Sequence, residues 1–169
     1  TIIKSIMRSS GRYDVDPLLV LALIIQESSL RPEARGRHGE IGLMQLKLRT
    51  ARWLATRLGM RAPSARRLFR PSINIELGTA YLAYLKELLG SERFIQAYNS
   101  GPNGMRRKKT DYLEKVSAHY RNLLQALAVT DVHSFASLET DVEPTLRTEI
   151  TTRFNSTDTS RAGKGSRVP

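Results

Sequence analysis

A single glutamate stands at the end of the most apolar stretch of the chain. Every residue in Leu18–Ile25 is apolar, and Glu27 follows two positions later. Asp16 and Pro17 precede the stretch and are typical of the N-cap and first position of a helix. The sequence therefore predicts a helix over Pro17 to about Ser28. Because this helix is apolar on nearly every side, we expect it to be central and buried.

The position of Glu27 favours a protonated carboxyl group. Burial disfavours the charged form of an acid, and the partial negative charge of a helix C-terminus opposes a second anion. Both effects raise the pKa of a carboxyl group, which is what a general acid at neutral pH requires. The alternative is a structural role, in which Glu27 emerges onto the surface or pairs with one of the many arginines.

Three further short motifs contain groups that can hold a polar substrate. The first is "GLMQL", which follows a glycine-rich loop; the second is "AYNSGP"; the third is "YLEKV", which opens the last predicted helix. Their candidate residues are Gly42, Leu43, Met44, Gln45, Tyr98, Asn99 and Tyr112.

These motifs and the "QES" around Glu27 resemble, in order and spacing, the soluble lytic transglycosylase domain. That family shares a lysozyme-like fold with goose-type lysozyme. The resemblance covers roughly residues 13 to 125. It implies an all-α, lysozyme-like catalytic domain. Each motif alone is a weak signal, so the resemblance depends on their combination and order.

The resemblance also implies a reaction on peptidoglycan strands. Glu27 would protonate the oxygen between N-acetylmuramic acid and N-acetylglucosamine, then take a proton from the C6 hydroxyl as a 1,6-anhydro ring closes. One carboxylate suffices with help from the substrate's acetamido group, unlike the paired acids of ordinary glycosidases. The substrate-binding residues would be Gly42, Leu43, Met44, Gln45, Lys47, Tyr98, Asn99 and Tyr112.

Several of these roles have a structural alternative. Gln45 offers a donor and an acceptor to sugar hydroxyl and acetamido groups. Met44 can pack on an apolar sugar face, but a core position is as plausible for Met44 and Leu43. Asn99 can instead cap a turn, and Lys47 can point to solvent. Tyr98 can hydrogen-bond the acid or the substrate, and Tyr112 resembles the family's second tyrosine near the acid. We expect Tyr81 and Tyr84 to line the core.

The chain departs from the family pattern at three positions. Gly36 stands where the glycine-rich loop usually presents serine, nine residues after the acid. Lys47 replaces a residue that is often methionine or aspartate, and Leu48 replaces the usual proline. The motif core is intact, so these departures concern the shape and preference of the sugar subsites.

Helical periodicity dominates the first 128 residues. No segment alternates strongly enough to predict a strand. Besides the helix that ends near Ser28, the pattern predicts five others. They cover residues 2–13, with an end at Gly11, and residues 43–59, 74–89, 91–98 and 110–128.

The composition changes near residue 129. Beyond it Ser and Thr are frequent and apolar residues are sparse, as in a linker or tail. We expect a lysozyme-like transglycosylase catalytic domain over residues 1–128 and a poorly structured tail or linker over 129–169. Within the tail, only residues 146–154 have the composition of an extended segment.

The chain is strongly basic, with a net charge of +11. Of its 27 Lys and Arg residues, 22 lie in residues 1–128. Such a field favours an anionic partner: nucleic acid, anionic lipid or a carboxylate-bearing glycan. The runs Arg66–Arg70 and Arg106–Lys109 would be the footprint of a basic, helical nucleic-acid-binding protein. We do not expect a nucleic-acid partner, since glycan carboxylates account for the charge equally well.

The nearest alternative activity is hydrolysis by a muramidase of the same fold. Hydrolysis requires a base to activate water, and Glu40 in the glycine-rich loop is the nearby candidate. Analysis of the products separates the two activities, because only a transglycosylase leaves an anhydro end.

Composition also excludes several classes of site. The chain has no cysteine, which rules out disulfides, Cys-ligated zinc and a thiolate nucleophile. The histidines show no metal-ligand spacing and no phosphate loop is present, so we expect no metal and no cofactor. No apolar run approaches the ~20 residues of a membrane span. We expect a monomer that is exported to the periplasm or cell wall, although no targeting segment is visible.

Overall fold

The described part of the chain is built mainly from helices. The computed structural model describes residues 1–91, 93–101 and 111–138. Two short strands form a hairpin between the second and third helices. The elements are α1 (Ile2–Tyr13), α2 (Pro17–Ser28), β1 (Glu40–Ile41), β2 (Leu46–Lys47), α3 (Leu48–Arg57), α4 (Ala65–Leu68), α5 (Pro71–Leu89), α6 (Phe94–Ser100) and α7 (Tyr112–Leu138).

Helix α2 is a central element of the core and has the bounds that its sequence predicts. The Asp16 carboxylate accepts a hydrogen bond of 2.8 Å from the Leu18 backbone N–H, as an N-cap does. Val20, Leu23 and Ile24 are fully buried. The helix ends at Ser28, and the backbone of the capping residue Ser29 is left-handed. Glu27 therefore lies in the last turn, as predicted.

Helix α5 packs against α1 through a buried carboxylate as well as apolar contacts. Glu76 accepts hydrogen bonds from the side chains of Ser9 (3.0 Å), Arg12 (2.6 Å) and Tyr13 (2.9 Å). All three donors lie on α1, so one acid on α5 sets the position of the first helix. Burial, followed by the hydrogen bond to Glu76, raises the pKa of Tyr13 to about 12.

The hairpin is attached to α5 by the fully buried side chain of Asn74. Its Oδ1 accepts a 2.7 Å hydrogen bond from the Met44 backbone N–H. Its Nδ2 donates to the carbonyls of Ile41 (2.8 Å) and Leu68 (2.9 Å). Gly42 has a φ of +78°, and a Cβ at this position would lie 2.4 Å from Asn74 Nδ2. Only glycine fits here, for reasons of both conformation and space.

The helix predicted over residues 43–59 begins five residues later than expected. The Met44 N–H is engaged by Asn74, and Gln45 has a φ of +46°, so neither residue continues a helix. Leu46 and Lys47 pair with Ile41 and Glu40 as an antiparallel ladder, although no strand was predicted. The apolar spacing of this segment reflects buried loop residues, not a helical face.

Several other helix bounds differ from the predictions. Helix α5 begins at Pro71 instead of residue 74, α6 covers Phe94–Ser100 instead of 91–98, and α4 was not predicted. The ends of α1 and α7 differ as well. Helix α1 passes through Gly11 and ends at Tyr13, since glycine lowers helix propensity without stopping a helix. Helix α7 continues to Leu138 instead of ending near Ala128. Residues 129–138 contain no proline or glycine, and Ser and Thr weaken a helix without ending it.

The chain divides into two compact units, Thr1–Leu127 and Ala128–Pro169. The described part of the second unit is the end of α7. The predicted tail beyond residue 138, including the possible extended segment, lies outside the described residues. Of the helices in the described residues, none is both long and apolar enough to cross a membrane.

Replacing Asn74 should strongly destabilise the protein. In Asn74→Ala, the Met44 N–H and the carbonyls of Ile41 and Leu68 lose their buried partner. Each unsatisfied group costs about 1–3 kcal/mol, so we expect urea denaturation to show a loss of at least ~2 kcal/mol in unfolding free energy. Asn122→Ala, on the exposed surface of α7, is the matched control and should change this free energy by less than ~0.5 kcal/mol. Equal small effects would contradict the bracing role of Asn74.

Candidate active site

Glu27 lies at the end of α2 with its carboxyl group mostly withdrawn from solvent. The Tyr112 hydroxyl, at the start of α7, donates a 2.5 Å hydrogen bond to Glu27 Oε1. Burial raises the pKa of Glu27, the Tyr112 hydrogen bond opposes that rise, and the negative charge of Glu40 adds to it. The net effect is a pKa above the ordinary glutamate value. The carboxyl group thus retains its proton to higher pH than an exposed glutamate does.

Glu27 opens onto a cavity of about 430 Å³ between the hairpin, α3, α5 and the end of α6. Its size is within the range of ligand-binding clefts, about 300–1,000 Å³. We call this cavity the cleft. It is lined by Glu27, His38, Glu40, Gln45, Leu46, Lys47, Arg49, Thr50, Tyr81, Tyr98, Asn99, Ser100 and Gly101.

Gln45 is held rigidly at the wall of the cleft. Its side-chain Nε2 donates to the carbonyls of Gly42 (2.8 Å) and Ala34 (3.3 Å). Its left-handed backbone is unfavourable for a residue with a side chain by about 1–3 kcal/mol. The buried loop maintains this conformation, and the result is an amide group fixed beside Glu27.

Tyr98 forms part of the wall, but it does not hydrogen-bond the acid. Its hydroxyl donates to the Met44 carbonyl at 2.9 Å, which connects α6 to the hairpin. Burial raises the pKa of Tyr98 well above its usual value, and the nearby Glu27 charge adds to the rise. Its ring packs at 5.5 Å from that of Tyr81. Of the two tyrosines proposed near the acid, Tyr112 makes the direct contact.

Gly42, Leu43 and Met44 lie behind the cleft wall, not in its lining. Leu43 and Met44 have no exposed surface, which corresponds to the core alternative for both. Met44 packs on the backbone of α5 at Gly78, where a Cβ would lie 2.3 Å from the Met44 sulfur. These residues position the loop that carries Gln45.

Glu40 and Lys47 face each other across the hairpin. Lys47 Nζ lies 3.5 Å from Glu40 Oε1, and the Lys47 side chain is half exposed. Burial raises the pKa of Glu40. Its backbone hydrogen bonds, including the 3.0 Å bond from the His38 N–H, lower the pKa, and so does Lys47. The lowering effects are larger together, so the net pKa falls. The cleft thus contains one acid with a raised pKa and another with a lowered pKa.

The Glu40 side chain explains the glycine at position 36. A Cβ on Gly36 would lie 2.3 Å from Glu40 Oε2 and 2.7 Å from Gln45 Oε1. A serine here would therefore force both side chains to shift. The departure of this chain from the family pattern at Gly36 is therefore coupled to the position of Glu40.

The cleft includes residues that sequence reasoning missed. Asn99 was predicted and lies exposed at the rim. Tyr81 packs against the core as expected and also lines the cleft, because its helical spacing does not tell a buried face from a cleft-facing one. Arg49 and Thr50 were missed because the start of α3 was misplaced. Their signal was their position directly after the motif that ends at Lys47.

The described residues include one of the two basic runs and no cluster of metal-ligating side chains. In that part of the chain, no cluster of three or more His, Asp or Glu could hold a metal ion. The basic run Arg106–Lys109 lies outside the described residues. In the run Arg66–Arg70, Leu68 is buried in the core while Arg66 and Arg70 are exposed.

Comparison with known proteins gives a consistent family. The sequence model of the transglycosylase SLT domain matches residues 4–121. The chain is 41% identical over 113 residues to membrane-bound lytic murein transglycosylase C of Histophilus somni (strain 2336), covering 60% of this chain and 31% of the relative. The protein of the same name from Edwardsiella ictaluri (strain 93-146) is 40% identical over 113 residues, covering 60% and 32%. The chain thus spans about a third of these relatives' length.

Solved structures with a similar fold carry related names. The lytic transglycosylase Slt of Pseudomonas aeruginosa, solved as an inactive mutant, superposes with a TM-score of 0.67 at 24% identity, covering 74% of this chain and 24% of that one. The 70 kDa soluble lytic transglycosylase of Escherichia coli gives a TM-score of 0.57 at 27% identity, covering 69% and 19%. The first similarity supports the helical fold alone.

Neutralising Glu27 should stabilise the protein at neutral pH. Because the folded state raises the pKa of Glu27, ionisation of this group disfavours folding. The cost is absent below the ordinary glutamate pKa, grows as pH rises toward the folded pKa and is then constant. Urea denaturation of wild type and Glu27→Gln at several pH values should therefore show the variant gaining relative stability with rising pH. Glu33→Gln, at an exposed loop residue, is the control; the same trend in both variants would contradict this account.

Proposed function

The chain belongs to the transglycosylase SLT domain family, and we propose that it is a lytic transglycosylase acting on peptidoglycan. The observation that carries the proposal is the raised pKa of Glu27 at the edge of a polar cleft. The relatives named lytic murein transglycosylases support it, although this chain spans only part of them. The proposed substrate bond is the β-1,4 link between N-acetylmuramic acid and N-acetylglucosamine.

In the first step Glu27 acts as a general acid. Its proton passes to the glycosidic oxygen, the bond from that oxygen to C1 of muramic acid breaks, and N-acetylglucosamine leaves with a free hydroxyl. Burial raises the pKa of Glu27 and so favours the protonated form that this step requires. Tyr112 stabilises the carboxylate that forms, because its hydroxyl donates to Glu27 Oε1.

In the second step the same carboxylate acts as a base. It takes the proton of the C6 hydroxyl while O6 forms a bond to C1, which closes the 1,6-anhydro ring and restores protonated Glu27. No water is consumed. The acetamido group of muramic acid assists at C1, as the family resemblance implies, so a second protein carboxylate is not required.

The remaining cleft residues have proposed roles in holding the strand. Gln45 offers its Oε1 as an acceptor, since its Nε2 already donates to Gly42 and Ala34, and Asn99 offers an amide group to sugar hydroxyl and acetamido groups. Tyr81 and Tyr98 offer ring surfaces to the sugar. Lys47 would attract the lactyl carboxylate or the acidic stem peptide, an exposed interaction worth at most ~1 kcal/mol. Gly42, Leu43 and Met44 would act indirectly, through the loop.

The site of action follows from the substrate. We propose that the chain works as a monomer in the periplasm or at the cell wall. The naming of its relatives as membrane-bound supports a cell-envelope location. The positive charge of residues 1–128 suits a polymer whose strands carry carboxylates.

Glu27→Gln should abolish cleavage while leaving the fold intact. Glutamine occupies the same space and can accept the Tyr112 hydrogen bond, but it has no proton to transfer. General acid–base catalysis contributes about 10²–10⁴-fold, so turnover of purified peptidoglycan should fall by at least that factor. Circular dichroism should be unchanged, and Glu33→Gln should retain full activity. Wild-type turnover by Glu27→Gln would refute the assignment.

The alternative is a hydrolytic muramidase in which Glu40 activates water. The observation that favours it is the presence of the Glu40 carboxylate in the same cleft. Its lowered pKa keeps it ionised at neutral pH but makes it a weaker base. We expect Glu40→Gln to keep releasing anhydro ends, because glutamine can still accept the His38 N–H bond and no base is needed there. Mass spectrometry of the products checks this. Reducing ends from wild type, lost in Glu40→Gln, would establish the muramidase instead.

A further inference from the structure

A cluster of aromatic and cationic side chains lies on α3 and α5 outside the cleft. Trp53 is 38% exposed, and Tyr84 is partly buried against the core. The Trp53 ring meets that of Tyr84 edge to face at 5.0 Å. The guanidinium carbon of Arg57 lies 5.2 Å from the centre of the Trp53 ring and 5.8 Å from that of Tyr84. We call Trp53, Arg57 and Tyr84 the aromatic platform. The proposed chemistry uses none of these three residues.

The aromatic platform continues the wall of the cleft. On α3, Trp53 lies three and four residues after Thr50 and Arg49, which line the cleft, so all three share one face of the helix. On α5, the Tyr84 ring stacks on that of cleft-lining Tyr81 at 6.4 Å. The surface formed by α3 and α5 therefore continues from the cleft to the aromatic platform.

A second cavity borders the aromatic platform. Its volume is about 600 Å³, and Arg57 and Tyr84 contribute to its lining. The other lining residues include Leu54 and Leu58, which are apolar, Lys86, which is basic, and Asp14 and Glu87, which are acidic. Such a mixture of apolar, aromatic and polar groups is typical of ligand sites. The surface beyond the cleft thus has the shape and chemistry to hold another part of a bound molecule.

We propose that the aromatic platform is an additional sugar-binding surface for the glycan strand as it leaves the cleft. The proposal rests on the proposed function, since a glycan strand is a linear polymer and must continue beyond the bond that is cleaved. The C–H groups on one face of a sugar ring pack against aromatic rings, and Trp53 offers the larger exposed ring. Arg57 lies where it can pair with the lactyl carboxylate of a muramic acid residue.

The test measures binding to peptide-free glycan strands of two lengths in the Glu27→Gln background, where they are not cleaved. The short strand spans the cleft alone, and the long strand extends several sugars beyond it. Adding Trp53→Ala should weaken binding of the long strand by up to about tenfold in calorimetry, the contribution of one aromatic contact. Binding of the short strand should not change. Leu124→Ala, an exposed apolar residue on α7, should change neither affinity.

Equal loss for both lengths, or no loss for either, would overturn the proposal. Binding does not depend on cleavage, so the binding result can be interpreted even if the proposed chemistry is wrong. A second measurement covers the case in which Trp53→Ala does not fold. Trp53 is the single tryptophan of the chain, so the tryptophan fluorescence of Glu27→Gln, excited where tyrosine does not absorb, reports on the aromatic platform. Long strands should alter its emission and short strands should not; unchanged emission with a long strand bound would also overturn the proposal.

Discussion

The structure depends on one unfavourable placement, a carboxyl group that ends an apolar helix. Helix α2 must be buried because its sides carry almost only apolar side chains, and its last turn brings Glu27 into a poorly hydrated position. Desolvation raises the pKa of the acid and so favours its protonated form. The Tyr112 hydroxyl opposes this rise by donating a hydrogen bond that stabilises the ionised form. The raised pKa that the proposed chemistry requires therefore disfavours folding once Glu27 is ionised.

The second requirement is a rigid loop beside the acid, and Asn74 provides it. Two hydrogen bonds of one buried amide hold the segment between Ile41 and Met44 against α5, and a third reaches the Leu68 carbonyl. Gly42 and Gly78 permit the close approach, since a Cβ at either would collide with the packed side chains. The apolar residues Leu43 and Met44 of the "GLMQL" motif thus form the support, and its polar residue, Gln45, lines the cleft.

Local signals in the sequence predicted α2 and the position of Glu27, because the Asp16–Pro17 start and the uninterrupted apolar stretch are local. The proximity of Tyr112 to the acid came from the family resemblance. The start of α3 was wrong because Asn74, thirty positions along the chain from Met44, engages the Met44 N–H. The hydrogen bond from Tyr98 to the Met44 carbonyl also joins distant segments. Tyr81 packs against the core as expected, but its place in the cleft was missed, because periodicity identifies a helical face without saying what covers it.

The account depends most directly on the protonation of Glu27 in the folded protein. Carbon NMR of the glutamate side chains, with the Glu27 signal identified by its absence in Glu27→Gln, follows this group through a pH titration. The account predicts a midpoint clearly above the usual glutamate value of about 4.3. A midpoint at or below that value would mean that Glu27 is ionised at neutral pH without a proton to donate, which would contradict its role as the general acid.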